Sequence, residues 1–400
     1  MATVRTRLRN SSLADFLHAE SSGGVVLLVA TVVALVLANS PLADAYDDFW
    51  HTDLRLGVGA LSTTEDLRHW VNDGLMAVFF FVVGLEIKRE LVVGELKDRK
   101  AAALPAIAAL GGMVLPALVY TALNLGDGGQ LRGWAIPMAT DIAFCVGIMA
   151  ALGDRVSSSL KLFLLTLAII DDIGAIVVIA LFYGEGISAG PALLSLGLLA
   201  GYGALQRRRL PGGWPVLALV GIAAWAALLA SGIHATLAGV ALGLLTRTDG
   251  HPDVEGPAER TERILHPYSS FLVVPIFALA NAGLPLSVAA AEEALRSPVA
   301  IGVTLGLVLG KALGVLGATW VAARLGLGTL PRGVSWAEVA GVSALAGIGF
   351  TVSLFITTLA FEGSDAASDA TIGILVGSVV AAVVGAAILA RSARIEPGEV

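Results

Sequence analysis

The chain has 400 residues, of which 56% are hydrophobic and 14% are charged, a balance typical of membrane proteins and not of soluble globular domains. The formal net charge of −7 gives no support for nucleic-acid binding. The single cysteine, Cys145, excludes an internal disulfide and is expected to be a small buried packing residue. The composition therefore predicts an integral membrane protein.

The chain begins with a charged segment, 1–20, that lacks the apolar core of a cleavable signal peptide. We expect this segment to be cytoplasmic and the span after it to be retained. Runs without Asp, Glu, Lys or Arg, such as 21–43 and 370–390, are long enough to cross a hydrocarbon core that needs about 20 residues. The sequence predicts one transmembrane domain over 21–390 and a cytoplasmic tail over 391–400.

Twelve spans are predicted in this domain, six in each half. The 47 glycines suit helices that pack closely through small residues. The long uncharged run 210–246 is expected to turn at Ser231-Gly232, which divides the seventh span from the eighth. The predicted spans are 21–41, 70–94, 101–123, 134–152, 160–183, 190–205, 214–230, 232–246, 267–286, 298–322, 336–360 and 370–390.

Orientation follows from the basic residues. With both termini in the cytoplasm, the inside segments hold most of the 25 Lys and Arg residues, as the positive-inside rule requires. Merging the seventh and eighth spans would place every later arginine cluster outside. The outside stretch 43–66 contains a weak alternation at Leu54–Val58, which predicts a strand or hairpin with an irregular loop as an equal alternative.

Five ionisable side chains fall near the middle of apolar spans, where each charge costs at least roughly 2.5 kcal/mol and marks a candidate functional site. A purely structural ion pair is the alternative, but three aspartates face one lysine, so the excess acid needs another explanation. The five residues are Asp141, Asp171, Asp172, His234 and Lys311.

Asp171 and Asp172 are adjacent, so on a helix their side chains diverge by about 100 degrees. One carboxylate can line a cavity while the other reaches toward a neighbouring helix. Close carboxylates in an apolar site resist double ionisation, so at least one is expected to hold a proton. When ionised, the same oxygens suit a small hard cation, and the pair therefore predicts a site where a proton and Na⁺ or Li⁺ compete.

Two spans carry signs of interruption. Pro137 and Gly147 bracket Thr140 and Asp141 in the fourth span, and the eleventh has a glycine-rich disturbance at 346–351. Interrupted spans at matching places in two halves predict a transporter site at mid-membrane, although close helix packing also explains the glycines. Asp141 and Lys311 are then expected to neutralise exposed half-helix ends of opposite sign.

Seven motifs make the chain similar to the NhaA-type sodium/proton antiporters, from about Leu13 to Arg391. That family is itself a known example of inverted repeats with broken helices. The resemblance implies an all-α polytopic membrane protein of about 12 transmembrane helices in the bacterial inner membrane, without a cofactor. The motifs are VGLEIKREL (83–91), MATDIAF (138–144), LAIIDDIGAI (167–176), SGIHATLAGV (231–240), FALANAG (277–283), LGKALG (309–314) and LAGIGFTVSLFI (345–356).

The resemblance implies pH-regulated exchange of Na⁺ or Li⁺ for H⁺. It places Asp172 and Asp171 at the core of the ion site, with Thr140 and Asp141 beside them. Lys311 resembles the family's lysine that pairs with an aspartate, here Asp171. A homodimer through the 43–66 loop is a further expectation.

The family's cytoplasmic pH-sensing cluster is also matched. This chain has Arg263 where well-studied members have histidine, and arginine stays charged across the physiological range. His234 matches a family histidine linked to the pH response, with a structural hydrogen-bonded role as the alternative. The matching cluster residues are Glu86, Lys88, Arg89, Glu90 and Glu262.

Buried charges in a membrane domain also serve functions other than antiport. A sodium-coupled solute symporter or a cation channel is the main alternative, since carboxylates and broken helices serve those as well. An intramembrane aspartyl protease would need a Gly-x-Gly-Asp signature, which the three buried aspartates lack. A retinal pump would need an aromatic-lined pocket, which fits poorly with 6% aromatic residues.

Overall fold

The structure is a computed structural model, and it is helical almost throughout its described residues. The predicted cytoplasmic segment 1–20 lies outside them, as does the predicted tail beyond residue 392. The described residues are 22–58, 61–184, 186–208, 213–249, 255–331 and 333–392.

The described residues form eighteen α-helices, numbered in chain order. They are α1 Ser22–Ala38, α2 Ala43–Trp50, α3 Leu67–Trp70, α4 Met76–Val92, α5 Arg99–Leu123, α6 Ile142–Ala151, α7 Ser158–Phe182, α8 Ala189–Arg207, α9 Trp214–Leu229, α10 Thr236–Leu245, α11 Pro257–Tyr268, α12 Val274–Asn281, α13 Val288–Ala294, α14 Pro298–Leu305, α15 Ala312–Arg324, α16 Trp336–Leu345, α17 Phe350–Ala360 and α18 Ala366–Ser392.

Short segments of other helical geometry adjoin several of these helices. Three are 3-10 helices, in which each turn is tighter, and three are π-helices, in which each turn is wider. The 3-10 segments are Glu95–Lys97, Leu131–Met138 and Gly153–Arg155, and the π-helical segments are Val71–Leu75, Ser269–Val273 and Gly306–Lys311.

The chain divides into two compact units. Within the described residues, the first unit is built from 22–28, Asp98–Ala175 and 287–392, and the second from Val29–Lys97 and Ile176–Leu286. In the first unit α5 packs on α15, and α18 packs on α14, α16 and α17. In the second unit α4 packs on α10 and α11, and α8 packs on α9.

Helix starts in the first unit follow capping rules. Asp98 accepts hydrogen bonds from the first N–H groups of α5, and Ser297 accepts one from Ala300 at the start of α14. Ser335 and Glu338 form a reciprocal capping box at the start of α16. These side chains satisfy backbone donors that a helix terminus leaves without an intrahelical partner.

Six helical stretches within the described ranges are long and apolar enough to cross a membrane, and two bent helix pairs raise this number to eight. The bent pairs are α1 with α2, at 116°, and α16 with α17, at 42°. Helices α9 and α10 are also apolar but shorter. The prediction of a multi-pass helical membrane protein is therefore confirmed.

The ninth predicted span differs from the structure at its start. The prediction began it at residue 267, after the charged residues 259–263. Instead, α11, a π-helical segment and α12 form one helical stretch over Pro257–Asn281. Charged residues in the first turns of a span are tolerated where they pair with a neighbouring helix, and the helix therefore extends beyond the apolar run.

The stretch 43–66, which was predicted to lie outside, contains a β-hairpin. The all-α prediction did not include this hairpin, whereas the Leu54–Val58 alternation predicted it as one of two alternatives. Strands β1, Asp53–Val58, and β2, Leu61–Asp66, pair antiparallel, with Asp53 opposite Asp66. The turn between the seventh and eighth spans also falls where the sequence placed it. Helix α9 ends at Leu229, α10 begins at Thr236, and Gly232 has a φ of +77°, a conformation that favours glycine.

Candidate functional site

The interior of the first unit contains an ion pair between Lys311 and Asp171. Both side chains are 0% exposed, and each lies near the middle of its helical stretch, Pro298–Arg324 and α7. The Lys311 ammonium donates to Oδ2 of Asp171 and to the backbone carbonyl of Met138. A buried ammonium needs such partners, because its desolvation costs several kcal/mol.

Thr140 joins this pair through its hydroxyl. Its Oγ1 lies 2.7 Å from Oδ2 of Asp171 and 2.9 Å from the carbonyl oxygen of Ala346. One hydroxyl hydrogen serves one acceptor at a time. Thr140 therefore donates to an ionised Asp171, or accepts from a protonated Asp171 while it donates to Ala346. Its position suits both protonation states of the carboxyl group.

Asp141 occupies the break between the 3-10 segment Leu131–Met138 and α6. Its side chain accepts a hydrogen bond of 3.1 Å from the N–H of Phe144 at the start of α6. The other carboxylate oxygen accepts two from Thr351 at the start of α17, at 3.0 Å from the N–H and 2.7 Å from the hydroxyl. One carboxylate thus faces the positive ends of two helix dipoles.

The two interrupted stretches supply hydrogen-bond partners for each other's backbone N–H and carbonyl groups. The N–H of Asp141 donates to the carbonyl of Ile348 at 2.6 Å, and Ser353 Oγ donates to the carbonyl of Ile136 at 2.7 Å. Cys145 is buried, and its Sγ lies 3.1 Å from the carbonyl oxygen of Leu345. Irregular backbone at membrane depth requires such partners, because lipid offers none.

Asp171 retains one unused acceptor. Its Oδ1 is buried and accepts no hydrogen bond from the residues that the structure describes. Asp172 follows on the same helix and is also buried, at 8% exposure. No group of three or more His, Cys, Asp or Glu side chains within the described ranges forms a ready metal cage. A cation at Oδ2 of Asp171 would compete with Lys311 and Thr140 for that oxygen, whereas Oδ1 has no hydrogen-bond partner among the described residues.

The second unit contains a separate charged cluster between α4 and α11. The Arg89 guanidinium donates to the carboxylate of Glu262, a residue that is 4% exposed. A guanidinium nitrogen of Arg89 also lies 3.4 Å from Oε1 of Glu90. His266 lies 3.8 Å from Glu86, a pairing that becomes ionic only when the imidazole is protonated. Four of the five predicted cluster residues, Glu86, Arg89, Glu90 and Glu262, thus lie in contacts that involve α4 and α11, and their role in pH sensing stays a prediction.

Arg263 is not part of that cluster. It is 66% exposed on the same helix as Glu262, and its guanidinium contacts Glu255 at 2.6 and 3.2 Å. Hydrogen bonding from Arg263 holds the pKa of Glu255 below its usual value. Because both groups are exposed, the pair contributes little to stability.

His234 lies in the turn between α9 and α10. Its Nε2 is 2.5 Å from the carbonyl oxygen of Tyr183, which accepts only, so Nε2 carries the hydrogen. This hydrogen bond is present in both the neutral and the protonated imidazole. The contact therefore gives His234 a structural role and leaves its sensing role a prediction.

Three residues in these networks were not singled out from the sequence. Thr351 and Ser353 lie in the LAGIGFTVSLFI motif, where two hydroxyls directly after a glycine break signal side-chain bonding to exposed backbone. His266 follows Glu262 by four residues, a spacing that places both on one helix face. That spacing was the available signal for the His266–Glu86 pair.

The fold and this site define a multi-pass helical membrane transporter, in which buried charges lie against two interrupted helical stretches. The model of the family described as Na⁺/H⁺ antiporter 1 matches residues 14–389. The chain belongs to that family.

Named relatives agree with this assignment. The chain is 50% identical over 361 residues to the Na(+)/H(+) antiporter NhaA of Rhodospirillum rubrum, covering 88% of this chain and 89% of that protein. It is 48% identical over 362 residues to the Na(+)/H(+) antiporter NhaA of Shewanella loihica, covering 89% and 90%. The solved structure of the sodium proton antiporter MjNhaP1 from Methanocaldococcus jannaschii shares the fold, with a TM-score of 0.56, 14% identity and coverage of 94% and 97%.

Proposed function

We propose that the protein exchanges Na⁺ or Li⁺ for H⁺ across the bacterial inner membrane. The observation that carries this proposal is the shared use of Asp171 Oδ2 by Lys311 and Thr140, beside an Oδ1 without a partner among the described residues. The names of the family and of its relatives support it. The ions are cargo, and no resident cofactor takes part.

In the proposed cycle, proton and cation exclude each other at Asp171 and Asp172. Cation entry requires ionised carboxylates, so it releases the proton that these groups hold. The Lys311 ammonium gives up its contact with Asp171 to the cation and keeps the Met138 carbonyl. On the other side of the membrane a proton returns, the cation leaves, and the lysine pairs again. Asp141 and Thr140 hold the interrupted backbone in place throughout.

The proposed topology has twelve spans, arranged as inverted repeats, with both termini in the cytoplasm. The helical stretches beyond the eight candidate spans, including α4, α8, α9 and α10, supply the additional crossings. The distribution of basic residues supports the orientation. The hairpin within 43–66 presents strand edges that suit pairing with a second copy, which supports a homodimer through this loop.

Purified protein in liposomes that enclose a pH-sensitive dye tests the proposed exchange. Addition of external sodium or lithium should move protons out of proton-loaded vesicles, and potassium should not. A proton flux that requires an added organic solute would indicate a symporter. Sodium flux without proton movement would indicate a channel. Either result would replace antiport.

We propose further that the Glu86, Arg89, Glu90, Glu262 and His266 cluster sets the pH at which exchange begins. Glu262→Gln and Glu86→Gln should displace the pH of half-maximal exchange while the maximal rate survives, because they bias a two-state equilibrium and leave the ion site intact. A bias of about 0.7 kcal/mol corresponds to about 0.5 pH unit. The measurement is the pH profile of exchange in liposomes.

Two comparison variants sharpen this test. Glu292→Gln, an exposed glutamate outside the cluster, should leave the profile unchanged. Arg263→His changes a residue on the same helix as Glu262, but Arg263 pairs with Glu255 and not with the cluster. It should therefore shift the pH of half-maximal exchange less than Glu262→Gln does. If all four variants show the pH profile of the native protein, the pH dependence must come from the aspartates of the ion site, Asp171 and Asp172.

A further inference from the structure

A π-helical segment, Gly306–Lys311, interrupts the helical stretch Pro298–Arg324 and ends at the buried lysine. π-helical turns are rare and occur mostly at functional sites, because they shift the side chains that follow around the helix axis. Gly306 and Gly310 lie near the two ends of this segment, and both are buried. Their surroundings explain how the segment is held.

Each glycine lies directly against a proline of a neighbouring element. A Cβ on Gly310 would be 2.7 Å from Cα and 3.1 Å from N of Pro116, which lies inside α5. A Cβ on Gly306 would be 2.7 Å from Cβ and 2.9 Å from Cγ of Pro137. These atoms belong to backbone or to a proline ring and cannot rotate away. A methyl group at either position must therefore move the segment.

The two prolines surround the contacts of the lysine. Pro137 precedes Met138, whose carbonyl accepts from the Lys311 ammonium. The lysine stem passes Gly112, four residues before Pro116 on α5, where an added Cβ would lie 3.7 Å from Cδ and Cε. The glycine contacts therefore fix the distance of the segment from Pro116 and Pro137, and with it the position of the Lys311 ammonium.

We propose that Gly306 and Gly310 are positioning residues that hold the Lys311 ammonium on Oδ2 of Asp171. This inference rests on the proposed exchange function. A methyl group at either glycine moves the segment away from its proline, and the ammonium loses contact with Asp171. In the proposed cycle a bound cation replaces the Lys311 ammonium at Asp171. When the ammonium binds Asp171 more weakly, sodium competes against a weaker partner and binds at lower concentration.

The first experiment measures the half-saturating sodium concentration at one fixed pH in liposomes. Gly310→Ala should lower it by about threefold or more, a change of about 0.65 kcal/mol. Gly317→Ala is the matched control, because a Cβ at this position on α15 meets no atom within 4 Å. An unchanged or raised value for Gly310→Ala would overturn the proposal.

Gly306→Ala provides a second variant with a built-in rescue, and it serves alone if Gly310→Ala does not fold. Pro137→Gly removes the two closest atoms that the new Cβ would meet and leaves the Pro116 carbonyl oxygen at 3.4 Å, an ordinary contact distance. Gly306→Ala should lower the half-saturating sodium concentration in the native background and change it little in the Pro137→Gly background. Equal changes in both backgrounds would overturn the proposal, because the effect would not pass through the proline contact.

Thermal unfolding separates this inference from the exchange function. Gly310→Ala should lower the melting temperature less in a Lys311→Ala background than in the native one, because the ion pair that it disturbs is already absent. Equal losses in both backgrounds would overturn the positioning role. If the native protein exchanges no ions while the unequal losses appear, the exchange function fails and the positioning role stands.

Discussion

The Asp172→Asn variant is expected to fold and to show no sodium-driven proton movement. The amide keeps the shape of the side chain but can neither release a proton nor offer a charged oxygen to a cation. Asp172 lies at 8% exposure beside Asp171 in the middle of α7, where a titratable group marks a functional site. The measurement is proton flux in liposomes on addition of sodium, which should fall to the level of vesicles without protein.

The matched control for this variant is Asp127→Asn. Asp127 is exposed, and the same chemical change there should leave exchange at the native rate. Folding of both variants is checked by their melting temperatures. Native proton flux in a well-folded Asp172→Asn protein would contradict the competition mechanism.

The Lys311→Ala variant is expected to lose stability together with activity. Removal of one partner from a buried ion pair typically costs about 3 to 5 kcal/mol, because the other charge is left without compensation. Lys311 is 0% exposed and contacts both Asp171 and the Met138 carbonyl, so its loss affects two acceptors. Thermal unfolding should show a clear drop, whereas Lys100→Ala at the exposed start of α5 should show almost none.

A double-mutant cycle identifies the partner. Asp171→Asn should destabilise the native protein but recover part of the stability lost in Lys311→Ala, because it removes the uncompensated carboxylate. Lys311→Met keeps most of the stem and separates the loss of charge from the cavity that alanine leaves. Strictly additive losses in Asp171→Asn and Lys311→Ala would show that the two groups do not stabilise each other.

Local patterns in the sequence predicted the long apolar helices, the two interruptions and the buried charges. Long uncharged runs dictate helices because lipid cannot satisfy backbone groups. The prolines and glycines around Asp141 and Gly349 indicated the helix breaks, because these residues disfavour the interior of a helix. The ninth predicted span began at residue 267, whereas the helical stretch begins at Pro257. Glu262, in the first turns of that stretch, pairs with Arg89 on α4, and a rule based on local apolar runs does not include such a pair.

Contacts between distant segments could not be predicted in the same way. The residue types showed that Lys311 needs an acid, but only the resemblance to a family suggested Asp171, and the Met138 carbonyl came from the structure alone. The two bonds from Thr351 to Asp141 depend on how two interrupted stretches approach each other. Side-chain pairing of this kind is set by packing geometry, which the order of residues along the chain does not display.

The carboxylate of Asp141 closes two helix starts that are far apart along the chain. Its partners Phe144 and Thr351 leave the ribosome at very different times, since Thr351 follows Asp141 by 210 residues. At about 5 to 20 residues per second, that gap lasts roughly ten seconds or more. The hydrogen bonds between Asp141 and Thr351 can therefore form only after most of the chain has been synthesised.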